Sequence, residues 1–146
     1  MMKDDIAACC KTLKLGHGIA DNCETIEADS NQEYLLKLLQ LEIKHRDECR
    51  KERLLKNAGF YSIKTFDDYS FDGIQIPQGL TPEEIKKGTF IEDKKNLILY
   101  GNVGAGKSHM AIAIGVEACK RGLKVKFFRT AALVNRLGEA RKGGEL

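Results

Sequence analysis

The sequence predicts an α/β fold with a parallel sheet, and three observations carry the prediction. Asn96-Leu97-Ile98-Leu99-Tyr100 is a compact apolar run that leads straight into a glycine-rich loop and then a helical pattern. A second apolar run, Val125 to Arg129, is followed by another helical pattern. The order strand, loop, helix, strand, helix is that of parallel α/β units. Upstream, the first 60 or so residues read as helices only. A run that is apolar on both faces and bounded by loop chemistry suits a strand buried within a parallel sheet.

The first helix is expected from about Asp4 to Leu15, where Ile6, Cys10 and Leu13 share a face before Gly16 and Gly18 break it. A short helical stretch is expected through Ile19 to Ile26. A longer helix, roughly 25 residues, starts at Ser30. Ser30-Asn31-Gln32-Glu33 fits a capping box, Leu35 to Ile43 supplies an apolar face, and Glu42–Arg46, Asp47–Lys51 and Glu52–Lys56 are i,i+4 ion pairs. Gly59 stands where a left-handed helix terminator belongs. From Phe60 to Pro82 turn formers dominate, punctuated by Phe66, Tyr69 and Phe71. Thr81-Pro82-Glu83-Glu84 opens a short helix that ends near Gly88. Residues 107–121, closed by Gly122, and 131–142 complete the helices. The division that follows is a helical N-terminal region over 1–62, a linker with a short helix over 63–95, and a segment of α/β type over 96–146.

Composition restricts the class. The 146 residues are 42% hydrophobic and 31% charged, a globular balance. No stretch approaches the roughly 20 apolar residues of a membrane span, and Met1-Met2-Lys3-Asp4-Asp5 lacks a secretory apolar run, so no membrane is expected and the cytoplasm is the expected location. The net charge of +3 is uneven: residues 1–65 carry 11 basic and 11 acidic side chains, so the excess lies in 66–146. That permits a nucleic-acid partner without requiring one. Cys9, Cys10, Cys23, Cys49 and Cys119 form no Cys-x-x-Cys pair. Cys9, Cys10 and Cys23 with His17 are conceivable zinc ligands, but reduced buried thiols are the simpler reading.

The chemistry is concentrated in Gly101-Asn102-Val103-Gly104-Ala105-Gly106-Lys107-Ser108, which satisfies G-x-x-x-x-G-K-[ST] between an apolar run and an amphipathic helix. Each fixed position has a task. A triphosphate needs donors converging on one concave point, and glycines let successive N–H groups turn inward without obstruction. The helix start adds its dipole. Lys107 places an ammonium on the β- and γ-phosphates, and Ser108 offers its hydroxyl to magnesium. ATP with Mg2+ is therefore the expected cofactor. His109, next in the helix, joins the expected nucleotide-binding residues, although packing or solvent exposure explains a histidine there equally well. Phe66, Tyr69 or Phe71 either lies against the adenine or staples the linker. Lys44, Arg46, Arg50, Lys51 and Arg53, and separately Lys120, Arg121, Lys124, Lys126 and Arg129, are either DNA-facing cations or solvated, ion-paired surfaces. After the loop, no run of four apolar residues ends in Asp or Glu, so the magnesium-holding carboxylate that hydrolysis requires has no candidate.

With these motifs placed, the sequence resembles the IstB-like ATP-binding proteins, transposition helpers related to DnaC-type helicase loaders. The resemblance runs from Leu13-Lys14-Leu15 through the capped, charged helix to Lys64-Thr65-Phe66-Asp67-Asp68-Tyr69-Ser70-Phe71. It continues through the P-loop into His109-Met110-Ala111-Ile112-Ala113-Ile114-Gly115, then Gly122 to Phe128 and Ala132-Leu133-Val134. It implies a helical N-terminal region followed by the start of an AAA+ P-loop domain of three αβα layers. It also implies ATP-bound homo-oligomers on DNA that assist a transposase or load a replicative helicase. Family members continue for about another hundred residues, the size expected of a full domain. The expectation is thus a chain truncated within its ATPase domain, lacking catalytic residues of its own. Two other readings stand beside the helper. One is a P-loop small-molecule or nucleoside kinase, which the long charged region ahead of the loop argues against; the other is an inactive remnant.

Overall fold

A computed structural model describes residues 2–16 and 18–144. Seven helices occur among them: α1 (Met2–Thr12), α2 (Gly18–Asn22), α3 (Asn31–Ala58), α4 (Pro82–Lys87), α5 (Thr89–Glu92), α6 (Lys107–Lys120) and α7 (Thr130–Lys142). They belong to two compact units, Met1–Glu52 and Arg53–Leu146. No helix among the described residues is long and apolar enough to cross a membrane.

The α/β expectation is overturned. Among the described residues there is no strand, so the parallel sheet and the three-layer αβα AAA+ arrangement are absent. Asn96–Tyr100 and Val125–Arg129 both lie outside regular secondary structure. A strand is a property of a pair, because its backbone groups need a neighbour's ladder, and an apolar pattern supplies only the side chains. Here Phe127 N–H donates to the Ala58 carbonyl at 2.8 Å, and Leu123 N–H to Ala118 at 3.0 Å, both helix-end bonds. Ile98 and Tyr100 are 82% and 88% exposed, whereas a central strand would bury them.

In the first unit α1 packs on α2, with Cys10, Ile19 and Ala20 buried. The α3 start is capped as the sequence suggests on one side: Glu33 N–H donates to Ser30 Oγ at 3.2 Å. The return bond is displaced by one residue, since Asp29 N–H, rather than Ser30, donates to Glu33 at 3.0 Å. Tyr34 OH donates to the Cys23 carbonyl. Of the conceivable zinc ligands, His17 lies outside the described residues; no cluster of three or more metal-type side chains occurs among the described ones.

The second unit is built on α6. Met110, Ile112, Ala113, Val116 and Cys119 are buried, and α4 packs on this helix through Ile85. The α4 capping box is complete: Glu84 N–H donates to Thr81 Oγ1 at 3.2 Å, and Thr81 N–H returns to the Glu84 carboxylate at 2.7 Å. Arg121, just past α6, donates to the Lys87 carbonyl and to Glu92, tying the helix end to α4 and α5.

Candidate functional site

The glycine-rich loop lies exposed from Gly101 to Ala105 and enters α6 at Gly106. Gly104 and Gly106 have φ of 86° and 76°, a region that costs a residue with a Cβ about 1–2 kcal/mol. No side chain caps the α6 start, so its first-turn N–H groups carry no side-chain partner. Such a helix start favours an anion. Lys107 Nζ donates to the Gly101 and Asn102 carbonyls at 2.8 and 2.6 Å, folding the ammonium across the loop. Ser108 is exposed at the first turn, as are Asn102 and Val103 on the loop.

Beside the loop is a cavity of about 300 Å³ whose wall includes Tyr69, Ile74, Ile98, Tyr100, Gly101 and Lys107. A neighbouring cavity of about 320 Å³ shares Ile74, Ile98 and Tyr100 and continues to Leu80, Ile85 and Leu97. Thus one cation stands at the end of a mostly apolar trough.

Thr65–Phe71 lies against the start of α6. His109 Nε2 is 2.8 Å from the Thr65 carbonyl, so the ring turns to this segment. Phe66 stacks on Phe71 with centroids 5.9 Å apart, and both meet Tyr69, at 6.1 and 5.3 Å. Of the three, only Tyr69 lines the cavity beside Lys107, and burial pushes its hydroxyl pKa up. Neither the His109–Thr65 bond, across 44 residues, nor the Gly73–Gln75 wall had any signal in the sequence.

The basic clusters are largely engaged within the fold. Lys120 pairs with Glu117 at 2.6 Å, Lys126 donates to the Asn57 carbonyl at 2.6 Å, and Arg129 lies 4.5 Å over the Tyr61 ring. On α3, Arg46 pairs with Glu42 at 2.6 Å and Lys51 with Asp47 at 2.5 Å.

The profile of the IstB-like ATP binding proteins (IstB_IS21) matches residues 11–146. The chain belongs to this family. Among its relatives, one from Geobacillus stearothermophilus, named as an ATP-binding protein of insertion sequence IS5376, is 34% identical over 117 residues. That match covers 80% of this chain and 47% of the relative. A Pseudomonas aeruginosa protein, named as an ATP-binding protein of insertion sequence IS21, is 32% identical and covers 79% and 43%. An insertion-sequence ATP-binding protein by name from Mycobacterium tuberculosis is 29% identical over 133 residues, covering 87% and 53%. The chain spans about half the length of these curated relatives. The matched stretch contains the linker aromatics, the glycine-rich loop and α6.

Proposed function

We propose that this chain binds ATP with Mg2+ at Gly101–Ser108 and serves as the nucleotide-binding part of a transposition helper that acts on DNA beside a transposase, as a homo-oligomer. The observation that carries the reading is the loop itself. Left-handed glycines lead into an uncapped helix start, and Lys107 sits where the loop closes. A triphosphate would draw the ammonium from the two carbonyls into shorter, charge-assisted bonds with β- and γ-oxygens. Ser108 would offer its hydroxyl to magnesium. The apolar trough beside Lys107 has the volume of a small ligand pocket and would take the nucleoside end. The insertion-sequence names of the relatives favour a transposase over a helicase as the partner.

The test is a titration of the 146-residue chain with a fluorescent ATP analogue in the presence of Mg2+. Lys107→Ala removes the ammonium, and the net loss of one hydrogen bond between charged groups is about 1.5–3 kcal/mol. The expected loss of affinity is therefore roughly 10- to 150-fold. Equal binding by variant and parent would remove the loop from the nucleotide site.

A further inference from the structure

We propose that His109 and Tyr69 are positioning residues for the glycine-rich loop: together they pin the start of α6 to the strap Thr65–Phe71. The consequence for phosphate affinity rests on the nucleotide reading above; the pinning itself does not.

The geometry is specific. A carbonyl only accepts, so at 2.8 Å from Thr65 the His109 Nε2 carries a proton and donates. The His109 ring centroid lies 5.1 Å from that of Tyr69. Tyr69 in turn crowds Gly106, where a Cβ would meet its Cε2 at 3.1 Å and its hydroxyl at 3.3 Å. Residues 106 and 109 are three apart at the helix start, and such positions share a face. The strap therefore holds one side of the α6 entrance. Ser108, rotated off that face, remains exposed.

The strap is itself braced. Phe66 and Phe71, stacked on each other, both meet Tyr69, Lys86 of α4 lies 5.3 Å over the Phe71 ring, and the turn closes through Tyr69 N–H to the Phe66 carbonyl at 3.3 Å. Thus α4 and the aromatic cluster buttress a wall against Gly106, whose left-handed conformation decides where the loop's amides point. A loop held in its binding shape loses less freedom when a ligand arrives. Without the wall, Gly106 is free to leave φ 76°, because glycine populates many other conformations.

Amide hydrogen exchange of the ligand-free chain and titration with tripolyphosphate and ATP test this together. In His109→Ala, exchange of the Met110 amide, which donates to the Gly106 carbonyl at 2.9 Å, should rise while Ile112–Ala118, inside α6, stays protected. Tripolyphosphate and ATP should weaken by the same factor, about tenfold if one hydrogen bond's worth of ordering is lost. In His109→Gln the side-chain amide can donate to Thr65, so both readouts should return toward the parent, a rescue that loss of ring packing would not give. Tyr69→Phe should keep the pinning and Tyr69→Leu should loosen it; the latter carries the test if His109→Ala loses helical circular dichroism. Unchanged exchange of the Met110 amide in both His109→Ala and Tyr69→Leu would overturn the proposal, as would His109→Gln behaving like His109→Ala. If the parent binds neither tripolyphosphate nor ATP, the nucleotide reading fails, and the exchange data still decide the pinning.

Discussion

Both carboxylate oxygens of Glu42 accept from the Gly16 N–H, each at 2.9 Å, while Arg46 Nε donates to one of them at 2.6 Å. The residue is 4% exposed, the one buried charge among the described residues. Burial works against its ionised form, but the bonds from Arg46 and Gly16 prevail and hold its pKa below the usual carboxylate value. A depressed folded-state pKa stabilises the fold above the unfolded value, near 4.5, and that stability is lost as pH falls through the folded value. Glu42→Gln should lower stability by about 1–3 kcal/mol at neutral pH, the cost of weakening a buried polar partnership. It should also flatten the acid limb below about pH 4.5. Some slope will survive, because Glu33 is depressed as well, chiefly by its bond with Lys37. Thermal melts of parent and variant between pH 3 and 7 check both points, and an unaltered acid limb would refute the role given to Glu42.

Gly115 is buried on α6 against an aromatic ring. A Cβ there would stand 2.7 Å from Phe60 Cζ and 2.9 Å from Cε1, distances that force the ring to move. The ring has little room, since it meets Phe127 at 5.7 Å. Gly115→Ala should therefore destabilise the second unit by about 1–3 kcal/mol despite the better helix propensity of alanine. Adding Phe60→Leu should recover part of the loss. A Gly115→Ala chain as stable to denaturant as the parent would show that the ring yields freely.

Six of the seven helices among the described residues were legible because local chemistry specifies them; α5, a single turn packed on α4, was not. Ser30 and Glu33 announced α3, Thr81 and Glu84 announced α4, and Gly59, Gly88 and Gly122 each take the left-handed conformation expected past a helix end. The loop and Lys107 were legible as well, because contiguous residues build them. What the sequence could not carry was pairing. Leu97 to Tyr100 has the composition of a strand, but no neighbouring backbone meets it among the described residues. The same limit hid His109–Thr65 and Tyr69–Gly106, where partners far apart in sequence meet through the fold. The relation between Glu42 and Gly16 was hidden for the same reason: the sequence paired Glu42 with Arg46, and only the fold adds the distant N–H.

The cysteines should separate by reactivity. Cys9 and Cys49 are exposed, Cys10 and Cys119 buried, and burial raises the Cys119 pKa. Because the thiolate is the nucleophile, Cys119 is protected twice, by access and by protonation. Alkylation followed by mass spectrometry should label Cys9 and Cys49 first and Cys119 last, with Cys119 labelling accelerated by Gly115→Ala four residues away on the same helix. Early labelling of Cys119 in the parent would mean that α6 opens far more readily than its burial implies.

Two glycine-to-alanine changes should have opposite signs. Gly138 lies within α7 with nothing inside 4 Å of the Cβ position, so Gly138→Ala meets no obstacle and gains about 0.5–1 kcal/mol of helix propensity. Gly106 combines φ 76° with the Tyr69 ring at 3.1 Å. A methyl there incurs the left-handed penalty of about 1–2 kcal/mol and presses on the strap as well. The chain has two responses: it keeps the left-handed turn and loses that much stability, or it leaves the turn and loses the loop geometry. The first appears in the melt; the second appears as a roughly 5- to 30-fold weaker affinity for tripolyphosphate, the same energy read as binding. Gly106→Ala should show one or both, and Gly138→Ala neither. A Gly106→Ala chain matching the parent in both measurements would mean that neither the φ of this residue nor its contact with Tyr69 shapes the loop.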